Sequence, residues 1–111
     1  MALSRSLIKS IPKVELHCHL DGSLRIETIL DLAQKQKITL PSTDVSELAS
    51  ILCIGDKRGT LEEYIARFDI TLSVMQTPES LRRISYELIQ DVADENVRYI
   101  EIRYSPILHT N

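Results

Sequence analysis

Apolar and polar positions alternate from Val14 to Leu20, the period of a half-buried strand. Pro12 precedes the run and Asp21-Gly22 follows it. Alternation sends His17 and His19 to one face and Val14, Leu16, Cys18 and Leu20 to the other. The period then becomes helical. Ile26, Ile29, Leu30 and Ala33 form one face of a helix that begins near Ile26 and ends in Gln34-Lys35-Gln36-Lys37. Asp44 caps a short helix reaching Leu52, with Leu48, Ile51 and Leu52 turned inward. Thr60 and Glu63 have the spacing of a capping box. Leu61, Tyr64, Ile65, Phe68, Leu72 and Met75 continue from it as one stripe, which predicts a core-facing helix. Thr77-Pro78 opens the last helix, whose buried face is Leu81, Ile84, Leu88, Ile89 and Val92. After Asp94-Glu95-Asn96 the period returns to two. Val97 to Tyr104 reads as a second strand, with Arg98, Ile100, Ile102 and Tyr104 on one face. Val97, Tyr99, Glu101, Arg103 and Ser105 lie on the other.

Strand, three or four helices, strand is an α/β order. Met1 to Ile11 is a lead-in carrying Leu3, Leu7 and Ile8, expected to pack across the bottom of the fold. Gly55 to Gly59 is expected to be a solvated, charged turn, and it lacks the spacing of a phosphate loop. The chain has no repeat, low-complexity tract or interdomain linker. Two parallel strands cannot close a barrel, and they leave bare edges.

Composition narrows the class. The 111 residues are 43% hydrophobic and 26% charged, ordinary for a soluble domain with a core. A net charge of -3 does not favour nucleic acid or an anionic membrane as a partner. With no long apolar run and no secretory segment, a cytoplasmic protein is expected. Cys18 and Cys53 make no disulfide framework and no Cys-x-x-Cys, and both are expected to be small core residues.

The chemistry concentrates at the end of the first strand. Two imidazoles two residues apart on one strand face can grip one metal ion. Two histidines that merely hydrogen-bond have the same pattern, and on the pair alone both readings stand. Asp21 is either a turn residue or the acid of a ligand site, with Gly22 letting backbone come close. Glu101 and Arg103 on a buried strand need partners, either across neighbouring strands or at a polar cavity. His109 is expected to be an exposed loop histidine.

Pro12-Lys-Val-Glu-Leu-His-Cys-His-Leu-Asp-Gly-Ser-Leu-Arg25 resembles the N-terminal signature of the adenosine deaminases, zinc hydrolases of the amidohydrolase superfamily. Thr60-Leu-Glu-Glu-Tyr-Ile-Ala-Arg-Phe-Asp69 resembles the helix that lids the family's pocket, and Val97 to Pro106 resembles its second barrel strand. Order and spacing agree. Ile26 departs from the family, which usually carries proline there. The resemblance implies an α/β fold, the N-terminal part of a TIM (β/α)8 barrel, with residues 1–111 an incomplete portion of one barrel domain. It implies His17 and His19 as metal ligands for one Zn2+ per full-length subunit. It further implies His19 and Asp21 at the substrate, Asp21 on the ribose 5′-hydroxyl, and Leu61, Tyr64, Ile65 and Phe68 packed on purine and ribose.

The implied reaction is zinc-dependent hydrolysis of adenosine or 2′-deoxyadenosine to inosine and ammonia. The partner is therefore a small-molecule purine nucleoside, with no nucleic acid and no membrane; oligomeric state is left open. The further histidines, the aspartate and the proton-passing glutamate of the family do not lie in these residues, so no catalytic acid or base is assigned and this chain alone is expected to be inactive. The alternatives are a deaminase of adenine or of a methylated adenine nucleotide, and a non-catalytic interaction module.

Overall fold

A computed structural model describes residues 3–53 and 59–110. Most of the charged turn expected over Gly55 to Gly59 lies outside the described residues. The order is α1 (Arg5–Ser10), β1 (Lys13–His19), a 3-10 turn (Leu20–Gly22), α2 (Ile26–Gln36), α3 (Val45–Leu52), α4 (Leu61–Ser73), α5 (Pro78–Asp94), β2 (Val97–Arg103) and a 3-10 turn (Pro106–His109).

Local chemistry sets the helix ends. The Asp44, Thr60 and Thr77 side chains each accept a backbone N–H of the first turn, and Glu63 completes the capping box by accepting from Thr60 N–H. The lead-in departs from expectation. It forms the short helix α1, capped by Ser4, and buries no side chain. Polar groups hold it in place instead: Lys13 Nζ donates to the carbonyls of Ile8 and Ile11, and Asn96 Nδ2 donates to Ser10 O at 2.6 Å. Asn96 takes φ 62°, a left-handed conformation that asparagine tolerates, and its carbonyl accepts from Lys13 N–H. One residue thus ends α5 and seats the start of both strands.

β1 and β2 pair in parallel, with Glu15 opposite Ile100 and Cys18 opposite Ile102. Between those pairs β1 carries one extra residue, a bulge. The His17 N–H is satisfied by Glu15 Oε1 at 2.9 Å. Glu101 and Arg103 find partners on their own strand and across to β1: Arg103 Nη2 lies 3.9 Å from Glu101 Oε2 and donates to Leu16 O at 3.4 Å, and Tyr99 OH donates to Glu101 Oε1.

The core is Leu20, Ile29, Leu32, Ala33, Leu48, Val74, Met75, Ile84 and Leu88, with Cys18 and Ile102 of the strands packed against it. Several expected core positions lie outside it. Leu61, Tyr64, Ile65 and Ile89 are exposed, because periodicity identifies a face but not what covers it. Cys53 is exposed as well. His109 corrects the other way. The Pro106–His109 turn folds back on the end of α4, where Gln76 Nε2 donates to Leu108 O and His109 Nδ1 meets Met75 O at 3.1 Å. Among the described residues no helix is long and apolar enough to cross a membrane.

α2 runs antiparallel to α5 along a polar ladder. Arg25 forks onto Asp91, Thr28 donates to Glu87, Asp31 pairs with Arg83, and Gln36 donates to Ser80. Hydrogen bonds from Lys35 and Arg83 lower the Asp31 pKa. Burial pushes Glu87 up, but bonds from Thr28 and Arg83 outweigh it and leave the carboxyl below its ordinary value. A depressed carboxyl stabilises the fold above its unfolded pKa, about 4.3 for glutamate, and that contribution is lost as pH falls through the folded value. Glu87→Gln in the whole protein should therefore lower Tm at pH 7, with the gap to wild type closing below about pH 4. Thermal unfolding across pH checks this; a gap independent of pH would rule out the charge as its source.

Candidate functional site

The bulged end of β1 brings two imidazoles together. His17 Nε2 and His19 Nε2 lie 3.0 Å apart. Ring nitrogens each about 2.0–2.1 Å from one zinc span that separation with an angle at the metal near 90°. The pair therefore fits as two ligands of one ion. Among the described residues no further His, Cys, Asp or Glu joins them in a metal-holding group.

The turn after β1 is fastened from both sides. Ser23 Oγ donates to His19 O at 2.6 Å, and Cys18 Sγ lies 3.3 Å from the same hydroxyl. Cys18 thus sits half-buried behind the histidines. The turn carries Asp21 inward, its side chain only 12% exposed. Asp21 Oδ1 is buried without a hydrogen-bond partner among the described residues. It lies 3.8 Å from His19 Nδ1, beyond hydrogen-bond range. The His19 ring is thus placed between His17 and Asp21.

Asp21 opens onto a cavity of about 310 Å³ bounded by the 3-10 turn, α2, the end of α3 and one face of α4. Leu24, Ile26, Ile29, Leu52 and Phe68 make its apolar wall, and Asp21, Cys53, Arg67 and Thr71 contribute polar groups. Tyr64 and Phe68 line it edge to face, with ring centroids 5.3 Å apart. A Cβ built on Gly22 would meet Phe68 Cε1 at 3.5 Å, an ordinary contact, so the close approach expected there does not demand glycine.

Of the residues singled out from the sequence, Asp21, Tyr64 and Phe68 come together around one cavity. His17 and His19 form a pair beside it. Leu61 and Ile65, on the outer turns of α4, are exposed and not in its lining. Sequence reading missed Arg67 and Thr71. Tyr64, Arg67, Phe68 and Thr71 have the i, i+3, i+4, i+7 spacing of one helical face, so two polar residues interrupting an apolar stripe were the available signal.

A family model described as adenosine deaminase matches residues 12–111. The adenosine deaminase of Shewanella woodyi is 52% identical over 101 residues, 91% of this chain and 30% of that protein. That of Clostridium botulinum strain Hall is 55% identical over the same shares. The chain thus spans about a third of the length of the curated relatives it matches. Among solved structures, an amidohydrolase from Burkholderia ambifaria with bound Zn superposes with a TM-score of 0.78 at 27% identity, covering 98% of this chain and 29% of that one. The N6-methyl-AMP deaminase of Arabidopsis superposes at 0.68 with 28% identity, covering 96% and 32%. The two parallel strands and intervening helices are accordingly the opening part of a (β/α)8 barrel.

Proposed function

The chain belongs to the adenosine deaminase family, and on that premise we propose that it is the N-terminal portion of a zinc-dependent barrel enzyme of purine salvage that hydrolyses adenosine, and 2′-deoxyadenosine, to inosine and ammonia. The observation that carries the reading is the pairing of His17 and His19 nitrogens at 3.0 Å beside the buried Asp21 and its cavity. His17 and His19 would hold one Zn2+ per full-length subunit. Zinc bound there supplies an activated water at neutral pH. Asp21 receives the nucleoside's 5′-hydroxyl and fixes the sugar, with His19 beside it. The α4 face, Tyr64 and Phe68 within the cavity and Leu61 and Ile65 at its outer end, covers purine and ribose and excludes water, which strengthens polar contacts inside. The remaining ligands and the proton-transferring groups come from later strands. Two unpaired cysteines and an acidic balance suit a cytoplasmic enzyme with a small-molecule partner and neither nucleic acid nor membrane.

A second reading, a deaminase of a methylated adenine nucleotide, has the Arabidopsis likeness in its favour. A carboxylate at Asp21 repels a 5′-phosphate, which favours the nucleoside. Asp21→Ala in the whole enzyme should raise KM for adenosine about 10- to 100-fold, the worth of a charge-assisted hydrogen bond. The same substitution should leave KM for 5′-deoxyadenosine within about threefold of wild type. Steady-state kinetics on both substrates tests this. Equal effects remove the role given to Asp21, and preference of the wild type for the nucleotide overturns the nucleoside reading.

A further inference from the structure

Arg67 lies on the cavity face of α4, yet its Nη1 is buried with no acceptor among the described residues. Asp21 Oδ1, lining the same cavity, is buried with no donor. Leaving either group desolvated and unpaired is costly, more so for charged groups. Opposite charges in one apolar enclosure would ordinarily meet, but among the described residues no ion pair joins these two: the one charged partner within 4 Å of the Asp21 carboxylate is His19. A ligand that offers a hydrogen to Asp21 and a lone pair to Arg67 satisfies both. Hydroxyls of a neutral sugar do this. A phosphate suits Arg67 and opposes Asp21, and a bare purine leaves one or both unanswered.

We infer that Arg67 is a substrate contact and specificity determinant, its guanidinium donating to a ribose hydroxyl oxygen of the nucleoside whose 5′-hydroxyl donates to Asp21. The inference rests on the nucleoside deaminase reading and extends it to a second polar anchor for the sugar, on the helix that covers the pocket. The two anchors stand on different elements, the turn after β1 and α4. A ligand bridging them ties the covering helix to the metal-side wall.

The test is Arg67→Met in the whole enzyme, assayed on adenosine and its 2′-, 3′- and 5′-deoxy analogues. Methionine keeps much of the volume and removes the donor. The variant should lose about 10- to 100-fold in kcat/KM on adenosine, mostly through KM, the worth of one hydrogen bond to a charged group. On one of the three analogues, the one lacking the contacted hydroxyl, the loss should shrink below about threefold. A uniform loss on all four substrates, or none on adenosine, overturns the inference. If the methionine variant does not fold by circular dichroism, Arg67→Lys is read the same way: a smaller loss relieved by the same analogue supports the contact, and a uniform one overturns it. A wild-type enzyme that does not deaminate adenosine overturns the functional reading and this inference with it. An active wild type with a uniform Arg67→Met loss overturns this inference alone.

Discussion

Replacing His17 with alanine in the whole enzyme is expected to abolish metal retention and to lower deamination by about a thousandfold or more. Removing an outer partner of a metal ligand alone costs roughly 10- to 100-fold, and a direct ligand is worth more. The physical reason lies in the 3.0 Å approach of the two Nε2 atoms. With one nitrogen gone, His19 is left as a single attachment on a half-exposed strand end. Metal analysis of the purified variant, run beside the adenosine assay, reads both effects. Full activity in a metal-free variant would remove the metal-binding role.

Leu48→Ala should destabilise the protein by about 2–5 kcal/mol, the range for deleting a large aliphatic side chain from a core. Leu48 is 0% exposed and is the only fully buried residue of α3, an eight-residue helix too short to hold without packing. The effect should also reach the site, because Leu52 and Cys53 at the end of α3 line the cavity. Thermal unfolding should show a fall of roughly 5–10 °C, and KM should rise with it. An unchanged Tm would mean that α3 contributes nothing to global stability.

Much of this architecture was legible because it is local. The capping box at Thr60 and Glu63, the Thr77-Pro78 start and the strand that carries His17 and His19 are short-range patterns, and each sits where expected, although Val14 and Leu16 of the expected apolar face are exposed. Family membership was legible from three separated blocks of sequence. What failed depends on neighbours distant in the chain. The bulge before Cys18 exists only relative to β2. The exposure of Ile65 and Ile89 depends on what covers a helix face, and the half-burial of His109 on a turn folding back to Met75. α1 was too short for a period to show. Arg67 was overlooked because a charge in an apolar stripe reads as solvated, whereas it lines the cavity and its Nη1 is buried.

The α2–α5 ladder has one more consequence. Apolar helix faces repeat nearly every turn, so greasy contact alone discriminates poorly between alignments shifted by about 5.4 Å. The polar rungs discriminate well. Sliding α2 one turn so that Asp31 faces Glu87 would oppose two carboxylates, bring Thr28 to Asp91 and leave Arg83 near Lys35. Sliding it the other way would take Asp31 toward Glu79 and strip Asp91 of Arg25. The rungs thus act as a vernier that admits one alignment of the two helices. Since α2 follows the turn that carries Asp21 and α5 leads into β2, that alignment fixes how far along each other the two strands lie.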